Sequence, residues 1–345
     1  MTTIADIIQH LERIAPPVYQ EGYDNAGLIV GQASQTCTGV LTCLDATEAV
    51  VAEAREKGCN LIVAHHPIVF KGLKRLTGRN YVERVVIEAI RHEIAIYAIH
   101  TNLDNVYARG VNSAIAERLG LTNTHILAPQ AALKQLSIYV SPGEADELKA
   151  RLNEAAAAKQ QPGTAVRLAT IGAGEAGALV KLEVTFHRAQ QGSVLRTLSA
   201  FGELDYQLHS LEQPSAQIGA GLVGELPEPL SESDFLAHLK SAMAVHCIRH
   251  TPLLDQPVQR VALCGGAGGF LLPQAIGSGA QFFITGDYKY HEFFDADGHL
   301  VIADIGHFES EQFTIPLLAN ILKEKFGNFA VHCTEVVTNP VRYYV

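Results

Sequence analysis

The dipeptide His65-His66 is the first feature of this chain whose chemistry calls for further partners. It stands directly behind residues 60–64 (NLIVA), an apolar run that reads as a fully buried strand, and directly ahead of Pro67. Neighbouring residues of a strand point to opposite faces. A bend at Pro67 would let both imidazoles enter one cavity at the carboxyl edge of a sheet, where open α/β sheets place their ligands. Imidazole suits Zn, Fe, Mn or Ni. Alone, such a pair is more often two loop histidines on a surface. Three further donors change that reading. Asp104 follows the next buried strand, residues 94–99, and His307 and Glu311 follow another, residues 299–305. The four-residue spacing of His307 and Glu311 puts both on one face of a first helical turn. Three imidazoles and two carboxylates exceed what one tetrahedral zinc needs, and paired metals use carboxylates as bridges. The expectation is a dinuclear centre of two divalent ions per chain (Zn, Fe or Mn) at His65, His66, Asp104, His307 and Glu311.

Around these donors stand candidate helpers. Asp287 and His291 are four apart near a helix start, placed to orient an imidazole or to serve as general acid or base. A helix cap and an exposed histidine would explain the same two residues without chemistry. His100 ends a ligand-bearing strand and is a candidate to reach a phosphate or brace a ligand. Asp45 and Thr47 fit the N-cap of the following helix. Asp24-Asn25 could bond its own turn or brace the site. Residues 265–269 (GGAGG) join a strand to a helix and could cradle a phosphate on backbone N–H groups. They lack the Gly-Lys-Ser/Thr of a P-loop and the full GxGxxG spacing, which favours a tight turn. Cys43, Cys59 and Cys264 sit in or beside apolar strands and read as small buried hydrophobes.

The elements that must position these groups alternate. Residues 4–14 carry Ile4, Ile7, Ile8, Leu11 and Ile14 at helical spacing, and Pro16-Pro17 ends that helix. A strand at 39–44, a helix to residue 57, the strand 60–64, a helix at 81–92 and the strand 94–99 follow. The plan recurs with strands at 258–263, 281–285 and 299–305, separated by helices at 271–276 and 288–294 and followed by a helix to 326. This is the pattern of an α/β domain with a largely parallel sheet. Residues 58–66 match residues 279–287 in length and type, and His100-x-x-x-Asp104 matches His307-x-x-x-Glu311. An internal duplication accounts for both matches. The middle differs, with strands at 135–141, 178–186 and 204–211 around helices at 143–159 and 190–200, the signature of a ferredoxin-like unit. The expected fold is a duplicated two-lobe α/β domain with mixed, largely parallel sheets, built from residues 1–129 and 215–345. It is interrupted by a ferredoxin-like α+β insert at 130–214.

Composition narrows the function classes. The 345 residues carry 26 basic and 36 acidic side chains, a net charge of −10 that disfavours a dedicated nucleic-acid binder. Six cysteines without a CxxC pair point to a reducing, cytoplasmic setting. The opening residues lack the basic end and apolar run of a signal peptide, and no apolar window is long enough to span a membrane. Fifteen histidines beside no tryptophan mark the chain as unusual.

Motifs along the whole chain then become recognisable. They are Tyr23-Asp24-Asn25-Ala-Gly27-Leu, Leu44-Asp45-Ala-Thr47, Leu61-Ile-Val-Ala-His65-His66-Pro67-Ile-Val-Phe70, His100-Thr-Asn102-Leu-Asp104, Thr285-Gly286-Asp287-Tyr-Lys-Tyr-His291 and Gly306-His307-Phe-Glu-Ser-Glu311. With them the chain resembles the dinuclear-metal-centre family labelled GTP cyclohydrolase I type 2 homolog, also known from a branch that interacts with a eukaryotic transcription factor. The resemblance implies metal ligands at the same five residues, a ring-like homohexamer, and a middle region similar to the PII or CutA inserts of longer members. The family usually has Trp where Tyr23 stands, which accounts for part of the missing tryptophan. Two functions are compatible with all this. One is a metal-dependent hydrolase of a phosphorylated or nucleotide-like small molecule; the other is a non-catalytic metal-binding scaffold or small-molecule-sensing regulator.

Overall fold

A computed structural model describes residues 1–157, 168–171, 180–327 and 329–344. The chain divides into two compact units, Met1–Ala128 with Gly219–Val345, and Pro129–Ile218.

The larger unit holds two sheets. In the first, the strands run in space as Gly27–Val30, Ala95–Ala98, Leu61–Ala64, Val40–Cys43 and Val331–Cys333. All neighbours are parallel except Gly27–Val30, which pairs antiparallel with Ala95–Ala98 at the edge. In the second, the order is Arg249–His250, Val301–Asp304, Phe282–Thr285, Val258–Leu263, Pro214–Leu230 and Thr122–Ala131. Here the central three are parallel, while Arg249–His250 and Pro214–Leu230 join antiparallel. Four strands of each sheet therefore share one order and one set of directions. The sheets diverge only beyond Val40–Cys43 and Val258–Leu263, where the first gains a parallel neighbour and the second an antiparallel one.

The central strands are short and wholly buried, which their Leu, Ile, Val, Ala and Phe composition requires of strands covered on both faces. Helices supply the cover. Ile4–Ile14 buries Ile4, Ile7, Ile8 and Leu11 and starts on a capping box between Thr3 and Asp6. Glu48–Glu56 packs Val50, Val51 and Ala54 inward, and Tyr81–Arg91 packs Val85, Val86 and Ala89. Asn80 and Thr47 cap these last two helices through their side chains. Asp45, read with Thr47 as a cap, does not cap: its carboxylate is taken by His66 and Thr338 instead.

A second correction concerns Asp287 and His291. The helix expected at 288–294 is a 3-10 segment, Tyr290–Ala296, and Asp287 lies outside it with a left-handed φ of +59°. The helical spacing that would have put the two side chains on one face is absent: Asp287 meets His307, and His291 meets Tyr290.

The smaller unit contains strands Leu133–Val140, Leu168–Ile171, Val180–His187 and Asp205–Ser210 and helices Pro142–Ala157 and Gln191–Ser199. Its sheet is antiparallel throughout, in the order Leu168–Ile171, Val180–His187, Leu133–Val140, Asp205–Ser210. Leu136, Ile138, Leu148, Leu152, Phe186, Val194 and Leu198 form its core. The strand Leu168–Ile171 has no counterpart in the sequence reading. Residues 158–159 of the expected helix and 178–179 of the expected strand lie outside the described residues.

Candidate metal centre

The polar ends of the parallel strands build the site. The N–H groups of His65 and His66 donate to the carbonyls of Cys43 and Leu44 at 3.1 and 2.9 Å, which carries the sheet ladder through both histidines. Asp104 closes a single helical turn, Thr101–Asp104, just behind the strand Ala95–Ala98. His307 and Glu311 open and close the short helix His307–Glu311, as their spacing required.

Glu311 is the centre of the cluster and is almost completely buried. Its Oε2 lies 2.9 Å from His66 Nε2 and 3.2 Å from His307 Nε2, and its Oε1 lies 3.8 Å from His65 Nε2. Asp104 Oδ1 lies 3.6 Å from the same His65 Nε2. The two imidazoles on Oε2 approach each other to 3.4 Å between Nε2 atoms. All five donors that the sequence singled out are thus brought together.

Each imidazole is fixed from behind. His65 Nδ1 is 2.9 Å from the carbonyl of Ile99, His66 Nδ1 is 2.8 Å from Asp45 Oδ1, and His307 Nδ1 is 2.8 Å from Asp287 Oδ2. A carbonyl only accepts, so His65 Nδ1 donates to Ile99 and Nε2 is the atom turned inward. Nε2 stands 3.6 Å from Asp104 Oδ1 and 3.8 Å from Glu311 Oε1, beyond hydrogen-bond reach. His65 Nε2 and Asp104 Oδ1 are consequently buried with no hydrogen-bond partner. Buried polar atoms left this way are costly, and an imidazole nitrogen gathered with carboxylate oxygens at these distances leaves a place for a cation among them. A metal ion fits this donor set: His65, His66 and Glu311 offer ligand atoms within 4.8 Å of one another and can bind a metal.

The electrostatics agree. Burial alone would lower the pKa of His66, yet its hydrogen bonds with Asp45 and Glu311 push it up to about 10. Burial opposes the charge on His307 as well, and Glu311 overrides it, raising the group to about 9. Burial and then the charge of Glu311 raise Asp104 to about 8. Glu311 itself is held well below the usual carboxylate range by its three histidines, against the effect of burial. The pocket attracts positive charge, as a proton or as a metal.

The helpers sort less evenly. His100 Nδ1 is 2.8 Å from Asp24 Oδ1, and Asp24 also accepts from the hydroxyl and N–H of Thr101. The His100 ring lies 5.4 Å from those of both His65 and His66, on the wall of the cavity above them. Asp287 orients His307. His291 is exposed against the ring of Tyr290 and does not line the cavity. The glycine turn spends its N–H groups internally: Gly265 on Asn112, Gly266 on Ser310 and Gly268 on Thr285. It is a tight turn packed against Glu311, and these three N–H groups are not available to cradle a phosphate. Asp45 is the residue of this cluster that sequence reasoning misassigned, since it partners His66 rather than a helix N-terminus. It sits at the same strand edge as the ligands, and that position was the available signal.

Above the cluster opens a cavity of 960 Å³, walled by Tyr23, Phe70, Phe270 and Tyr343 among others. Among the described residues, no helix is long and apolar enough to cross a membrane.

A family model described as Duf34/NIF3 (NGG1p interacting factor 3) matches residues 2–340. A protein of Bacillus subtilis (strain 168) named GTP cyclohydrolase 1 type 2 homolog is 32% identical, over 98% of this chain and 97% of the relative. A protein of the same name from Halalkalibacterium halodurans is 31% identical, over 98% of each. The crystal structure of a Bacillus cereus protein related to NIF3 matches with a TM-score of 0.78 and 30% identity, covering 100% of this chain and 99% of that one.

Proposed function

The chain belongs to the DUF34/NIF3 family, and from that premise we propose a dinuclear metal-dependent hydrolase acting on a phosphorylated or nucleotide-like small molecule. The observation that carries the reading is the split of Glu311, with Oε2 toward His66 and His307 and Oε1 toward His65, whose Nε2 also faces Asp104. On this reading Glu311 and Asp104, with the imidazoles of His65, His66 and His307, would hold the two ions. Divalent ions there would supply Lewis acidity and an activated water. The carboxylates and the carbonyl behind the imidazoles hold every Nε2 inward, so the ligands are oriented before anything binds. A cavity of 960 Å³ suits a small molecule, and the name of the curated relatives supports a nucleotide-like one.

Further parts of the reading rest on the resemblance and on topology. The smaller unit, with its strand–helix–strand–strand–helix–strand order, is proposed as a ferredoxin-like, PII- or CutA-like insert. A ring-like homohexamer in the cytoplasm is proposed with it, and light scattering of the purified protein tests the assembly.

The deciding experiment is metal analysis of the native protein, with anomalous scattering at two edges, followed by hydrolysis assays on a phosphoester and nucleotide panel. Two ions per chain, and turnover lost in His66→Ala and Glu311→Ala, are expected. Fewer than two ions at full loading would sink the dinuclear centre. Turnover no greater than that of the variants would leave the scaffold or regulator as the function.

A further inference from the structure

The three imidazoles are held from behind by different kinds of group. His65 rests on a backbone carbonyl inside the sheet, and His307 on the exposed carboxylate of Asp287. Behind His66 stands Asp45, and Asp45 is itself held. While its Oδ1 accepts from His66 Nδ1, its Oδ2 accepts from the hydroxyl of Thr338 at 2.6 Å. Thr338 belongs to the segment that follows the strand Val331–Cys333. That segment is tied down on either side of Thr338. Glu53 accepts from the Thr334 hydroxyl and, at 2.9 Å, from the Glu335 N–H. Further on, the Asn339 amide donates to Glu309 at 2.9 Å, within the short helix that carries His307 and Glu311. The segment therefore touches both sequence halves of the centre, through Asp45 in one and Glu309 in the other.

We propose that segment 334–339 is a working part of the metal centre, in which Thr338 is a positioning residue that acts through Asp45 on His66. The proposal rests on the metal-binding reading above. One hydrogen bond leaves a carboxylate free to swing about its terminal torsion, and a second, on the other oxygen, fixes its plane. The direction of the Asp45 lone pairs then sets the tilt of the His66 ring, and with it the aim of Nε2. Anchoring the segment to the fold does not require Thr338, because Glu53 and the pairing of Val331–Cys333 with Val40–Cys43 already do so.

The test uses the full chain stripped of metal, with Co²⁺ as probe because its visible bands report ligand geometry, and with Zn²⁺ measured in competition with a chelator. Thr338→Val is expected to weaken Co²⁺ binding by about 3- to 10-fold, the worth of one hydrogen bond, and to shift the bands. Thr338→Ser should restore both, and the melting temperatures of all three stripped proteins should coincide. Wild-type affinity and spectrum in Thr338→Val would overturn the proposal. So would equal weakening in the Val and Ser variants together with lower stripped melting temperatures, which would mark a merely structural tether. His66→Ala separates the two levels of the argument. If wild type takes up no more Co²⁺ than His66→Ala, the metal reading fails and takes this proposal with it. If wild type binds, His66→Ala does not, and Thr338→Val is unchanged, only the positioning role is lost.

Discussion

Replacing Gly266 with alanine asks whether the glycine turn is shaped around Glu311. Gly266 has a φ of +65°, and an added Cβ would stand 2.3 Å from Glu311 Oε1 and 3.3 Å from His307 Cε1. Two costs follow. Holding an L-residue in the left-handed conformation costs about 1–2 kcal/mol. The carboxylate must also retreat by about 1 Å to reach ordinary contact, in a buried pocket with little room. Ligand constellations tolerate displacements of only about 0.5 Å, so metal affinity should fall by roughly tenfold or more. Gly58 and Gly279 separate the costs. Both have positive φ, +70° and +74°, and an added Cβ at either meets open space. Gly58→Ala and Gly279→Ala should lose about 1–2 kcal/mol in urea denaturation and bind Zn²⁺ as wild type does. Gly266→Ala should lose at least as much stability when stripped and, in addition, its metal. If Gly266→Ala binds Zn²⁺ as tightly as the two controls, the turn is not shaped around Glu311 and the reasoning fails.

Two further predictions concern protons and outer partners. The raised pKa values of His66 and His307 stabilise the stripped fold fully below the unfolded histidine value of 6.5, and that contribution is lost as pH rises through about 9 to 10. Metal must displace the same protons, so the stripped melting temperature should fall across that window while Zn²⁺ affinity rises. A flat stripped profile, or metal uptake without proton release in a pH-stat, would contradict this. Among the outer residues, His291→Ala should leave Co²⁺ binding unchanged, because the side chain is exposed and off the cavity. Asp287→Asn should weaken binding less than Asp45→Asn, because the Asp287 side chain is 56% exposed against 36% for Asp45 and water can replace it. The reverse order in a chelator competition would refute that ranking.

The clustered donors were legible because buried parallel strands are apolar runs, and a polar residue past such a run has few places to go except the carboxyl edge. His65, His66, Asp104, His307 and Glu311 all follow that rule. The same logic would have reached Asp45, which follows the strand Val40–Cys43, but caps and imidazole partners use the same carboxylate. The choice between them depends on Thr338, nearly three hundred residues away. The strand Pro214–Leu230 was not expected, because its prolines and Gly219, Gly221 and Gly224 erase the local strand signal. The parallel pairing of Val331–Cys333 with Val40–Cys43 leaves no local trace at all, since three residues carry no period. His291 misled in the opposite direction, because its spacing from Asp287 means something only if the backbone between them is helical.

That late strand also fixes an order of events during synthesis. Val40–Cys43 waits for its neighbour until about 290 residues have followed it out of the ribosome, and the whole smaller unit passes in between. His65, His66 and Asp104 emerge long before His307 and Glu311, so the nascent chain spends most of its translation as half a binding site. Contacts of such long range form slowly. An ion captured by the early half alone would lack Glu311, the residue around which the others are arranged. On the metal reading, loading would be a step that follows translation, and expression in a chelated medium should yield folded, metal-free chain that accepts its ions afterwards.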